Sequence, residues 1–372
     1  MRVVHVTDGY LPRVGGIELH VRDLVVRQRA AGTEACVLTA TRPHGVTSAD
    51  PAWVTRAGAR EARAGLAARP PAVVHAHLSV ASPFALQVAR EALRRGVPLV
   101  LTVHSMWTGW GPVPRLALAA LGDPRAAVWS AVSTAAAGAV TEVLGGDVAV
   151  QVAGNAVDVD RWRPAPGSRL DPVRPVTVVS VMRLTRTKRT RALAEILVDV
   201  RRRLPADVPL RAVVVGEGPE AGVLRRRLDR AGADTWVHLA GRLDRAGVRE
   251  HLRSADVFLA PADREAFGIA ALEARTAGLA VVAHRRSGIA DFVEHRREGL
   301  LADDDHGLAE AVAGLVTDRR LLTAIRDHNV AHVPACTWGR VLGDLDTLYA
   351  RAADRAPAPT FARGGPVSMA VA

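Results

Sequence analysis

Apolar and polar positions along the chain fall into short β-branched runs separated by longer stretches of helical spacing. Strand-like runs are read at Val3 to Thr7, Ala35 to Ala40, Ala72 to His77, Pro98 to His104 and Ala126 to Ser133, with another at Val148 to Val152. Between the first two, Ile17, Val21, Leu24, Val25 and Gln28 share one helical face within Gly16 to Ala31, and Gly32 stops it. Strand, helix, strand, repeated, predicts a parallel sheet covered on both faces. The pattern breaks at Gly154, and the turn formers of Arg161-Trp162-Arg163-Pro164-Ala165-Pro166-Gly167-Ser168 predict a connection. A second series opens at Val176 to Val181, Leu210 to Val215, Trp236 to Ala240, Val257 to Pro261, Leu279 to Ala283 and Leu300 to Ala302. The expectation is an α/β chain of two doubly wound units: residues 1–160, a linker 161–175, residues 176–335, a helix 336–353 and a disordered tail 354–372. The apolar positions of that helix are Val341, Leu345, Leu348 and Tyr349.

At 372 residues the chain is long enough for two cores, which agrees with the tandem pattern. No run approaches the ~18 apolar residues of a membrane span. Arg2 to Thr7 already reads as a strand where a signal peptide would need an apolar core, so the cytoplasm is expected. Two cysteines, Cys36 and Cys336, fit reduced thiols. The net charge of +11 would suit nucleic acid, an anionic membrane face or anionic substrates. Arginine is dispersed and aromatics are only 4%, which argues against a nucleic-acid surface. Of 49 basic residues, Lys188 alone is a lysine, and its survival among arginines marks a place suited to a compact ammonium.

Candidate chemistry gathers at strand ends. The loop Pro12-Arg13-Val14-Gly15-Gly16 opens the first helix, so its glycines let backbone N–H groups approach an anion, or simply make a tight turn. It is not a dinucleotide fingerprint, and Gly216-Glu217-Gly218 has its next glycine one place late at Gly222. Arg183 ends a strand and Lys188 follows as the chain turns into a helix. The two either converge on one anionic group or join Arg186, Arg189 and Arg191 in a solvated basic patch. The sharpest signal is Glu265 to Glu273: Glu265 in a polar loop after Pro261, a helix starting near Phe267 or Gly268, and Glu273 within that helix. Two carboxylates around a helix N-terminus suit a hydroxyl-rich ligand carrying phosphate. The plainer reading puts one carboxylate on the helix dipole and the other on a wet face. His75 and His77 project to one side of a strand, but no third carboxylate or thiol ligand lies nearby, so no metal is expected. His104 ends its strand at the rim where open α/β sheets bind ligands.

Together, Gly15-Gly16 with Glu18, His104, Asn155-Ala156-Val157-Asp158, Arg183 with Lys188, Gly216-Glu217-Gly218, Ser254-Ala255-Asp256-Val257 and Glu265 through Glu273 resemble the family 4 glycosyltransferases of GT-B architecture. The likeness covers most of residues 1 to 350 and implies two Rossmann-like domains facing a cleft, with the helix from Trp338 crossing back to the first. The implied reaction is retaining transfer of a hexose-type sugar from a nucleotide diphosphate sugar to an acceptor hydroxyl on a sugar, a lipid head group or a small-molecule aglycone. Neither metal nor organic cofactor is implied. By resemblance, Arg183 and Lys188 hold the diphosphate, Glu273 the ribose, and Glu265 with the amides of Phe267, Gly268 and Ile269 the transferred sugar. Gly16 lies beside the diphosphate, His104 beside the reacting carbon, and Arg242 at the base; Gly15, Asn155 and Gly216 belong to the same donor side. First-domain loops choose the acceptor, where Tyr10, Trp107 and Trp110 are either stacking or packing residues. Contact of basic first-domain helices with the inner membrane face is compatible with a lipid acceptor.

Some positions depart from the family pattern. Ala156 and Arg189 stand where glycine is common, Ala274-Arg275-Thr276-Ala277 replaces an Ala-Met-Ala run, and Ser287-Gly288-Ile289 has one glycine where two are frequent. Rival readings are a nucleotide-sugar epimerase or a pyridoxal phosphate phosphorylase on the same architecture, and a non-catalytic anion- or nucleotide-binding protein. The phosphorylase would need Lys188 as its Schiff-base lysine.

Overall fold

The computed structural model describes residues 1–42, 50–119, 121–164 and 174–356. In chain order the first domain runs β1 (Arg2–Thr7), α1 (Gly16–Ala30), β2 (Glu34–Thr39), β3 (Val54–Arg56), α2 (Ala59–Ala68), β4 (Val73–Leu78), α3 (Pro83–Arg94), β5 (Leu99–Val103), α4 (Val113–Ala119), β6 (Val128–Ala131), α5 (Thr134–Val143), β7 (Val150–Val152) and α6 (Val159–Trp162). The second runs β8 (Val176–Val181), α7 (Thr190–Arg203), β9 (Leu210–Val215), α8 (Ala221–Arg230), β10 (Val237–Gly241), α9 (Arg245–Ser254), β11 (Val257–Ala260), α10 (Ile269–Thr276), β12 (Ala280–His284), β13 (Gly299–Ala302), α11 (Asp305–Thr317) and α12 (Arg319–Ala331). A last helix, α13 (Trp338–Arg355), follows.

Every strand pairs in parallel, in the orders β3-β2-β1-β4-β5-β6-β7 and β10-β9-β8-β11-β12-β13. The order reverses between β1 and β4 and again between β8 and β11. Such switch points leave a crevice outside the carboxyl ends of the strands, where the loops after β1, β8 and β11 emerge.

The two faces of the first sheet differ because side chains alternate along each strand. One face, with Val4, Val6, Val74, Ala76, Leu101, Val103 and Trp129, packs on Phe84 and Val88 of α3 and on Val140 of α5. The other is apolar at its amino end, where Val3, Val73, Val100 and Val128 meet Leu24 of α1 and Val341, Leu345, Leu348 and Tyr349 of α13. Toward its carboxyl end this face turns polar, with His5, His75, His77, Thr102 and Ser130 all buried. The last helix therefore packs on the sheet of the first domain.

Three local expectations change. The edge strand β3 has only three residues, too few to show a period. The connection does not begin at Arg161: Trp162 is 2% exposed within α6 and joins the core, and residues 165–173 lie outside the described residues. The tail does not begin at Asp354, because good helix formers carry α13 to Arg355, whose Nη1 donates to the Ala127 carbonyl at 2.8 Å. Residues 357–372 lie outside the described residues. Both cysteines are free, and among the described residues no helix is long and apolar enough to cross a membrane.

Candidate active site

Loops from the carboxyl ends of the two sheets meet. A Cβ on Gly16 would lie 3.7 Å from Ile269 Cδ1, so the glycine loop of the first domain faces the start of α10. Gly154 lies closer still, its absent Cβ 3.1 Å from the Phe267 ring. Two polar contacts close the same seam: Arg245 Nη2 donates to Asp23 Oδ2 at 2.6 Å, and the Thr134 amide donates to Asp291 Oδ2 at 2.6 Å. Gly15 has a structural reason of its own. A Cβ there would strike the buried Glu18 carboxylate, which Arg13 pairs at 3.2 Å, so glycine lets Glu18 brace the loop from beneath.

On the second domain, Lys188 Nζ donates to Glu265 Oε2 at 2.5 Å. Arg183 is exposed just beyond β8, with no ion pair among the described residues. Lys188 is thus turned onto the Glu265 carboxylate, and among the described residues no contact joins it to Arg183. Arg189, where the family resemblance leads one to expect glycine, adopts φ 55, in the left-handed region glycine would favour. Its guanidinium clamps Asp305 at 2.6 and 2.7 Å, the Pro261 carbonyl at 3.0 Å and His284 Nε2 at 3.0 Å, tying the ends of β11 and β12 to α11.

Gly216 and Gly218 also have positive φ, and a Cβ on either would run into the backbone carbonyl of Met182 or Leu184. These glycines let the loop after β9 lie flat against the residues leading to Lys188. Gly268, at φ 89, caps α10 and leaves the first amides of that helix pointing outward. Phe267 is itself core, its ring tilted at 43° to that of Phe292 with centroids 5.2 Å apart. Glu273 sits on the fifth position of α10. Burial pushes its carboxyl up to about 8, against the opposing pull of Arg245. Asn155 is buried with Oδ1 unpartnered, and Arg242 is exposed beyond β10.

The proposed aromatic acceptor set divides. Tyr10 (2% exposed) and Trp107 (4%) are core side chains with no free face for stacking, whereas Trp110 (44%) is exposed. Loop sequence alone cannot separate these cases, because burial of Tyr10 depends on Val21 and Val25 of α1.

His104 follows β5, its amide bonded to the Leu78 carbonyl at 2.8 Å and its Nε2 to His77 Nδ1 at 2.9 Å. The third ligand that the sequence around His75 and His77 lacked comes from β1. His5 stands in register with His75 on the neighbouring strand, and the three rings bring donor atoms within 4.8 Å. The signal in sequence was the same alternation, polar in place of apolar, in His5 and Thr7.

Two facing parallel-sheet domains, with carboxylates and a free helix N-terminus at the seam, are the build of a GT-B glycosyltransferase that uses nucleotide sugars. Family models agree: one described as Glycosyltransferase Family 4 matches residues 14–161, and one described as Glycosyl transferases group 1 matches residues 175–318. The chain belongs to the family 4 glycosyltransferases. It is 29% identical to the GDP-mannose-dependent alpha-(1-6)-phosphatidylinositol monomannoside mannosyltransferase of Mycobacterium tuberculosis, over 95% of this chain and 97% of that one. It is 28% identical to the D-inositol 3-phosphate glycosyltransferase of Pseudarthrobacter chlorophenolicus, over 76% of this chain and 71% of that one. In fold it is similar to Anabaena HepE solved with UDP (TM-score 0.75, 18% identity, 94% of this chain and 100% of that one). The sucrose-phosphate synthase of Thermosynechococcus elongatus is similar too (TM-score 0.75, 17% identity, 94% and 98%).

Proposed function

We propose that the chain is a retaining hexosyltransferase that takes its sugar from a nucleoside diphosphate donor bound between Gly16 and α10. The observation that carries this reading is the Lys188–Glu265 pair at the mouth of α10, with Glu273 further along the same helix. A donor separates the pair, its phosphate taking the ammonium and its sugar hydroxyls the carboxylate, while the ribose reaches Glu273. As the bond to the sugar breaks, negative charge grows on the departing phosphate. Lys188, Arg183 and the amides opening α10 stabilise it there without a divalent metal. His104 stands on the opposite wall beside the sugar.

The relatives' names supply the donor and acceptor to test first: GDP-mannose, and an acceptor hydroxyl on an inositol-containing head group. Basic first-domain helices would hold the enzyme at the inner membrane face for such an acceptor. A thermal-shift panel of nucleoside diphosphates and their sugars tests the donor site, since ligand at ~100 times its Kd stabilises by about 2.7 kcal/mol. If no nucleotide of the panel raises Tm, the donor site is misassigned. Turnover should persist in EDTA, and the product anomer, read by NMR, should match that of the donor.

A further inference from the structure

The polar half of the first sheet holds a continuous chain of side-chain hydrogen bonds that ends on His104. In one arm His5 Nε2 meets Gln28 Oε1 at 2.6 Å, His5 Nδ1 meets His77 Nε2 at 3.0 Å, and His77 Nδ1 meets His104 Nε2 at 2.9 Å. In the other, Gln28 Nε2 donates to Tyr349 Oη at 3.0 Å, Tyr349 Oη meets His75 Nδ1 at 3.0 Å, and His75 Nε2 meets Thr102 Oγ1 at 2.7 Å. Every ring nitrogen of His5, His75 and His77 is engaged in this way. The trio therefore has the donor set of a metal site but is already satisfied by protein groups.

Burial holds the rings neutral. It lowers His5 to about 4, and His75, His77 and His104 well below their ordinary value. A neutral imidazole has one N–H and one bare nitrogen, so the sense of the chain follows from one member whose sense is fixed. Gln28 Oε1 only accepts, hence His5 Nε2 carries the hydrogen and His5 Nδ1 is bare. His77 Nε2 must then donate to His5, and His104 Nε2 must donate to His77. In the other arm the Tyr349 hydroxyl, receiving the Gln28 amide, donates to His75. The opposite sense needs the Gln28 amide to turn over together with the hydroxyls of Tyr349 and Thr102.

We propose that His77, His5 and Gln28 are positioning residues that hold His104 as its Nε2–H tautomer, so that bare Nδ1 accepts a hydroxyl of the bound sugar, with Tyr349 of α13 anchoring the Gln28 amide. Nδ1 of His104 has no protein partner among the described residues. The inference rests on the reading of His104 as a neighbour of the donor sugar. It also gives the crossing helix α13 a task at the site, through one hydroxyl.

The test is the ring nitrogen shifts of ¹⁵N-histidine-labelled protein at neutral pH, beside steady-state kinetics with a nucleotide sugar. Wild type should show a protonated Nε2 and a bare Nδ1 at His104. In His77→Phe and Tyr349→Phe both tautomers should appear, with kcat down about tenfold and donor KM changed far less, a barrier increase of about 1.4 kcal/mol. Tyr349→Phe keeps its ring packed and loses one oxygen, so it reports even where His77→Phe does not fold. A protonated Nδ1 in wild type, or one unchanged tautomer in the variants, overturns the chain. Scrambled tautomers with unchanged kcat overturn its link to transfer. A wild type that turns over no nucleotide sugar overturns the functional reading alone, because the nitrogen shifts need no donor.

Discussion

Lys188 Nζ lies 2.5 Å from Glu265 Oε2, so the chain's single lysine is held by the carboxylate assigned to the moving sugar. Charge alone does not require lysine there, since 48 other basic positions are arginine, making 49 in all. A compact ammonium can pass from carboxylate to phosphate by a small rotation, whereas a planar guanidinium would stay forked on the carboxylate. Lys188→Ala should lower kcat by ~10- to 100-fold, as expected for loss of about 1.4 to 2.7 kcal/mol of transition-state stabilisation. Lys188→Arg should also be slow. Wild-type turnover by the arginine variant, followed through release of nucleoside diphosphate, would disprove a role specific to lysine.

The proposed contact of Glu273 with the donor ribose should make donor binding depend on pH. Its carboxyl is raised to about 8 in the free protein, chiefly by burial, so it is protonated at neutral pH. Ribose hydroxyls donating to it favour the ionised form, so binding releases a proton. Affinity for the nucleoside diphosphate should therefore rise with pH up to about 8 and level off above, by ~tenfold per pH unit at most. Calorimetry in buffers of different ionisation heat should detect the released proton, and Glu273→Gln should abolish both the release and the slope. Glu265→Gln, by contrast, should slow transfer and leave binding of the bare diphosphate close to wild type.

Arg189 offers a contest between backbone strain and side-chain bonding. Its left-handed backbone costs about 1 to 2 kcal/mol relative to glycine, while hydrogen bonds to charged groups contribute about 1.5 to 3 kcal/mol each. The two bonds to Asp305, cut by about half because both side chains are partly exposed, still outweigh the strain. Arg189→Gly should destabilise by about 1 kcal/mol and Arg189→Ala, which keeps the strain and loses the clamp, by about 2 to 3 kcal/mol. Urea unfolding should rank wild type above glycine above alanine; a glycine variant more stable than wild type would show that the clamp contributes little.

Trp107 and Trp110 of the first domain should separate stability from acceptor use. Trp107 is buried and donates to the Ser79 carbonyl at 3.3 Å, so Trp107→Ala should cost about 3 to 5 kcal/mol. Trp110 is exposed, and Trp110→Ala should change stability by no more than about 0.5 kcal/mol while raising acceptor KM. Thermal melts and acceptor titrations of the two variants give the comparison.

What the sequence determined by itself is what local spacing can carry. Alternation of strand and helix along the chain, the helix that Gly268 caps and that carries Glu273, and the apolar face of α13 all follow from periodicity and capping over a few turns. Pairings between distant residues belonged to the tertiary structure. His5 meets His75 only because β1 lies beside β4 in the sheet order, and Lys188 takes Glu265 only because β8 lies beside β11. Tyr10 and Trp107 read as loop aromatics until neighbouring elements closed over them, and Arg189 read as a lost glycine until Asp305 arrived from 116 residues further on. Sequence records which side chains are present and how they repeat; which of them touch depends on the order in which strands lie together and on the closing of one domain against the other.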